Sequence, residues 1–174
     1  MNGLRFAAGA AAVCGLLVLA PTTAAKSFLY EGPVDQPQVD PNVNSPRIEF
    51  KVRFSKNKKG KRVPKSVKTL DVWNVWYQCE HPVPGSGSTN TIFWPGAIND
   101  STSRVIVGLE FPVKHRRFHT SDDDYGTAIS VSGELKGGKA SGDVRLTYLS
   151  EPGDDFDVGA CSSGRLSWTA SRGF

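Results

Sequence analysis

From residue 48 onward, apolar and polar positions alternate in short runs. Period two is the mark of a strand with one buried face. Ile48, Phe50, Val52 and Phe54 alternate with Glu49, Lys51 and Arg53. The same spacing predicts strands at 104–111, with Val105, Val107 and Leu109 on one face, and at 127–135, with Ile129, Val131 and Leu135 inward. Lys136-Gly137-Gly138-Lys139 is a hairpin turn, and Ala140, Gly142, Val144, Leu146 and Tyr148 alternate on the return. Leu166, Trp168 and Ala170 mark a last strand, and shorter pieces fall at 92–94 and 116–120. The run 67–79 changes phase: Leu70 and Val72 share one face, then Trp73, Val75, Tyr77 and Cys79 the other. That predicts a bulge, or a strand buried on both faces. Beyond residue 25 no 12-residue stretch carries a helical stripe. The expected fold is all-β: a single antiparallel β-sandwich, or a small barrel, of about seven or eight short strands.

Two segments precede this pattern. In residues 1–25, Arg5 leads an uncharged run from Phe6 to Ala20, followed by the small residues Thr23-Ala24-Ala25. This is the three-part pattern of a secretory signal, and the run is short for a membrane span. An uncleaved anchor and lipidation at Cys14 are the alternatives; Val13 stands where a lipoprotein signal carries a small residue. The expected location is secreted or cell-envelope associated, with no transmembrane segment after cleavage. Residues 26–47 hold Pro33, Pro37, Pro41 and Pro46 and read as an extended lead-in to a domain at 48–174.

Composition narrows the class. A chain of 174 residues, 39% hydrophobic and 22% charged, is sized for one domain and too apolar for wholesale disorder. Cleavage at residue 25 leaves net +3, too mild to imply a polyanion partner by itself. It also removes Cys14, leaving Cys79 and Cys161. Two cysteines in an exported chain predict a Cys79–Cys161 disulfide. The chain-entropy argument gives such a bond about 4.5 kcal/mol. Two unpaired buried thiols, or a metal held with His81, are the alternatives.

Val131-Ser132-Gly133-Glu134-Leu135, Gly138-Lys139-Ala140-Ser141-Gly142, Cys161-Ser162-Ser163-Gly164 and Ser167-Trp168-Thr169-Ala170-Ser171-Arg172 together resemble a loose group of small exported bacterial all-β proteins. These combine an upstream Cys, a strand–turn–strand unit and a terminal Cys-x-x-Gly…Trp-x-Ala-x-Arg segment. The resemblance implies the fold and the disulfide, and supplies no activity, substrate or site residue.

Candidate chemistry is sparse. Nine Lys or Arg and no acid lie between Lys51 and Lys68, with Lys58, Lys59 and Lys61 at the tip. Such a hairpin can meet a polyanion, or can simply be a solvated turn that blocks edge aggregation. No aromatic lies between Phe54 and Trp73 to stack on bases, so nucleic acid is not expected. Trp73, Trp76, Tyr77, Phe93 and Trp94 form an aromatic set; Trp76, Tyr77 and Trp94 are the candidate sugar platform, against a plain role in the core. Trp73 and Trp76 fall on opposite faces of a regular strand. Ser121-Asp122-Asp123-Asp124 and the acidic run at 154–157 read as polar loops without calcium-loop spacing, and His115 and His119 are too far apart on a strand to share a metal. No catalytic motif, metal or cofactor is expected. The reading is a non-catalytic binding module for carbohydrate or an anionic wall polymer. A structural or protein-interaction domain is the alternative, and a hydrolase built from scattered carboxylates the third.

Overall fold

The alternation of Ile48, Phe50 and Val52 is built into β2 (Arg47–Lys56), where all three are wholly buried. It also extends one strand upstream. The computed structural model describes residues 25–38, 44–81, 91–93, 104–124, 127–149 and 158–173. The signal segment up to residue 24, Trp94 and the acidic run 154–157 lie outside them. The lead-in opens with β1 (Lys26–Pro33), paired along its whole length with β2 from Lys26↔Phe54 to Pro33↔Arg47. Tyr30 is buried and stacks on Phe50 at 5.2 Å. Pro33 closes the strand, where a missing N–H is tolerated.

The remaining strands are β3 (Arg62–Trp73), β4 (Trp76–Cys79), β5 (Thr91–Phe93), β6 (Arg104–Pro112), β7 (Arg117–Asp124), β8 (Thr127–Lys136), β9 (Lys139–Leu149), β10 (Ala160–Ser162) and β11 (Leu166–Arg172). The eleven described strands form one antiparallel sheet, held by one disulfide. It takes the barrel-like form of the expectation: a single sheet curled into a half-barrel, not two facing sheets. Around the curl, β1, β2, β3 and β6 pair in succession, β7, β8, β9 and β11 do the same, and β11 returns to pair with β1. β6 and β7 are joined by a tight turn at 114–117, and rings from distant strands meet inside. Phe118 of β7 lies 5.5 Å from Phe50 of β2 and 5.9 Å from Phe111 of β6.

The strand count exceeds seven or eight because β1 was hidden among prolines and because β4, β5 and β10 are short. These three form a flap. One edge of β9 is shared: residues 139–144 pair with β11, and residues 147–149 pair with β10. The chain enters the flap at Asn74, which adopts φ 56° between β3 and β4. This break, with the expected bulge as a register shift between Thr69 and Asp71 against β6, is the physical meaning of the phase change in 67–79. Register shifts between Lys51 and Val52 and between Arg53 and Phe54 add irregularity nearby. Cys79 and Cys161 are direct cross-strand partners with Cα atoms 3.9 Å apart, and their disulfide fastens the flap. The acidic stretch 121–124, expected as a loop, is the second half of β7, paired with β8 through Asp124↔Thr127.

One row of cross-strand partners organises the core: Phe118, Gly133, Gly142 and Trp168. A Cβ at Gly133 would stand 2.6 Å from the Trp168 ring. Gly133 therefore leaves the space over which Phe118 and Trp168 lean together at 6.1 Å, while a Cβ at Gly142 would strike the Ser132 carbonyl.

Candidate functional site

A meander brings every second turn to the same end. The turns β2–β3, β6–β7 and β8–β9 therefore share one rim, together with Lys26 at the start of β1 and Arg172 at the finish of β11. In the first turn Asn57 organises the backbone. Its Oδ1 accepts the N–H groups of Lys59 and Lys61, both at 3.0 Å. Gly60 takes φ 73°, a conformation that an L side chain resists. Lys58, Lys59 and Lys61 stand exposed on this scaffold. The third turn is Gly137-Gly138, both with positive φ, as a two-residue hairpin requires.

The second turn, Lys114-His115-Arg116-Arg117, has the same two-residue form, closed by two backbone hydrogen bonds of 2.9 and 2.8 Å. Yet His115 and Arg116 occupy left-handed conformations, φ 49° and 67°. Asn-Gly would hold this geometry with less strain. His115→Asn with Arg116→Gly is therefore expected to raise stability by about 1–2 kcal/mol in urea unfolding. Unchanged or lower stability would show that the turn is not strained.

Each of the three turns is closed by a facing pair of cations: Lys56↔Arg62, Lys114↔Arg117 and Lys136↔Lys139. Like charges directly opposite are destabilising. Carboxylates lie just below the rim. Glu134 reaches Arg117 at 3.5 Å. Glu110 accepts from Lys68 and pairs with Arg53 at 3.0 Å. The Lys68 hydrogen bond, then that of Ser66, hold the Glu110 carboxyl below its usual range. Its ion pairs therefore persist well into mild acid, and their contribution fades only as pH falls through that depressed value. Two of the nine cations between Lys51 and Lys68 are thus tied down. Among the described residues, Lys56, Lys58, Lys59, Arg62, Lys136 and Lys139 have no carboxylate within ion-pair distance. Beside the third turn a concavity of about 600 Å³ collects Lys136 and Lys139 with the Glu134 carboxylate and the hydroxyls of Ser141, Thr169 and Ser171.

The aromatic candidates do not assemble with the lysines. Tyr77 is wholly buried, stacks on Tyr148 at 6.4 Å and has its phenol pKa pushed up by burial, so it belongs to the core. Trp76 is half-buried and tethered. Its Nε1 donates to the Pro37 carbonyl at 2.9 Å, and the Gln36 side chain exchanges hydrogen bonds with its backbone at 2.8 and 3.1 Å. Trp94 lies outside the described residues. Trp73 carries the Arg47 guanidinium over its ring at 4.9 Å. His115 and His119 are exposed, the first in a turn and the second in β7. Among the described residues, no three His, Cys, Asp or Glu side chains cluster as a metal site, and no helix is long and apolar enough to cross a membrane.

Sequence reasoning missed the convergence. Lys114, Arg116, Arg117, Lys136 and Lys139 lie far from Lys58 in the chain. Counting turns by parity would have placed them at one end, had the inserted β4 and β5 not obscured the count.

No family model matches the chain, and neither the curated proteins nor the solved structures include a match to it.

Proposed function

We propose that this protein is an exported, non-catalytic binding module of the cell envelope whose basic rim engages an anionic wall polymer. The observation that carries the reading is the trio of facing cation pairs at one end of the meander. In Lys56↔Arg62 and Lys136↔Lys139 two like charges stand side by side with no carboxylate in reach, and a phosphate or other anion between them would relieve the repulsion; in Lys114↔Arg117 Glu134 already meets Arg117. The strained second turn supports the same reading, because it keeps the Arg116 cation where a relaxed turn residue would serve the fold better.

The test is binding of a poly(glycerol phosphate) chain at several salt concentrations. Affinity should fall at least about tenfold between 50 and 200 mM salt, as counter-ion release requires when several phosphates are neutralised. Lys58→Gln, Lys59→Gln and Lys61→Gln together should flatten that dependence without altering the unfolding midpoint. Lys136→Gln with Lys139→Gln should do the same, because the two turns belong to one surface. Binding that ignores salt, or that survives both sets of substitutions, would discard the reading in favour of a protein-interaction domain.

A further inference from the structure

Away from the basic rim, the outer face of the sheet carries a polar trough. Cross-strand register sets Asp123, Ala128, Thr147, Ser162 and Gln78 in one outward row across β7, β8, β9, β10 and β4. At about 4.8 Å per strand this row runs about 19 Å. Ser121, Ser130 and Arg145 form a second row beside it. Two surface concavities, of about 530 and 540 Å³, meet at Arg145 and Thr147 and make the trough continuous.

Arg145 is the charged group at its middle. Arg47, Arg53, Arg117 and Arg165 each face a carboxylate within 4.0 Å. Among the described residues Arg145 faces none at that distance. The hydroxyls of Ser121, Ser130 and Thr147 share its two concavities, which Asp122, Asp123 and Glu80 also line beyond ion-pair distance. At the flap end Leu149, 61% exposed, stands opposite Ala160 and gives the trough an apolar flank.

We propose that this trough binds an extended oligosaccharide bearing a carboxylate, with the carboxylate on Arg145. A planar guanidinium takes a carboxylate through two parallel hydrogen bonds. Sugar hydroxyls need donors and acceptors at short intervals, and Thr147, Ser162, Gln78 and Asp123 supply both along one line. The Ser162 Oγ accepts the Gly164 N–H at 3.1 Å and keeps its own proton to donate. The apolar faces of sugar rings match Leu149 and Ala160. Asp122 and Asp123 flank the trough, so a singly charged group suits it better than a densely charged polymer. The site is distinct from the basic rim and stands or falls separately from it.

The test titrates the full chain with a galactose tetramer in which one residue is galacturonate and with the all-galactose tetramer of the same linkage. The acidic tetramer should bind at least about tenfold more tightly. Arg145→Gln should weaken it by a similar factor with an unchanged unfolding midpoint, and Thr147→Val should weaken it less. Lys58→Gln, Lys59→Gln and Lys61→Gln together should leave it unchanged, so failure here and failure at the rim are told apart. Equal binding of the two tetramers, indifference to Arg145→Gln, loss through the rim variant, or no binding of the acidic tetramer up to millimolar concentration would each overturn the proposal.

Discussion

Truncation of Trp168 to alanine is expected to destabilise the protein by about 3–5 kcal/mol. The indole is 1% exposed and lies edge-on to Phe50 at 5.5 Å, with Phe118 stacked beside it. Its bed is made by Gly133, which offers no side chain to fill the space left behind. The cavity therefore has little means of collapsing, which places the loss toward the upper end. Domains of this size are stable by about 5–15 kcal/mol, so the variant should sit close to the folding threshold. Chemical denaturation followed by far-ultraviolet circular dichroism measures it without relying on the deleted fluorophore. A loss under about 1 kcal/mol would mean that the ring is not the centre of the core. Lys59→Ala, on an exposed turn, should change stability by less than about 0.5 kcal/mol and serves as the control.

Removing the disulfide is the second large effect. Cys79→Ala or Cys161→Ala should cost about 2–5 kcal/mol. The bond spans 82 residues, and the ladders it reinforces are brief: β10 pairs through three residues with β9 and two with β4. Few backbone hydrogen bonds hold the flap, so the covalent link carries much of its attachment. Because each substitution deletes the same bond, the double variant should be about as unstable as either single one. Additive losses would show instead that each cysteine packs independently and that the link itself contributes little.

The fold was legible where burial is one-sided. Ile48, Phe50 and Val52, or Leu166, Trp168 and Ala170, repeat at period two because one face is dry and the other wet, and pattern alone reports that. It failed at β1, where Pro33 and Pro37 look like breakers although Phe28 and Tyr30 already alternate. It failed again at 121–124, where the exposed neighbours Ser121, Asp122 and Asp123 read as a loop. Cys79 and Cys161 could be paired by counting; their adjacency on β4 and β10 could not. The basic hairpin was visible because its lysines are neighbours in sequence. The rest of the rim was not, because Lys114, Lys136 and Lys139 join it only through topology. Arg145 was invisible for a plainer reason: in sequence it is one more outward polar residue on a strand, and only the register shows what stands beside it.

The pairing of β1 with β11 also sets how the chain must fold. Tyr30↔Arg172 and Glu31↔Ser171 bring together residues from opposite ends of the polypeptide. The hairpins β2–β3 and β8–β9 involve neighbours and can form early, on the microsecond scale of isolated hairpins. The half-barrel itself closes only when the last strand arrives. Such non-local closure carries a large loop entropy before its contacts compensate, which puts folding in the slow range of milliseconds to seconds. Until then the edges of β1 and β9 are unsatisfied templates for another strand. The final seven-residue strand thus acts as the latch, and a chain interrupted before Leu166 would leave both edges open to aggregation.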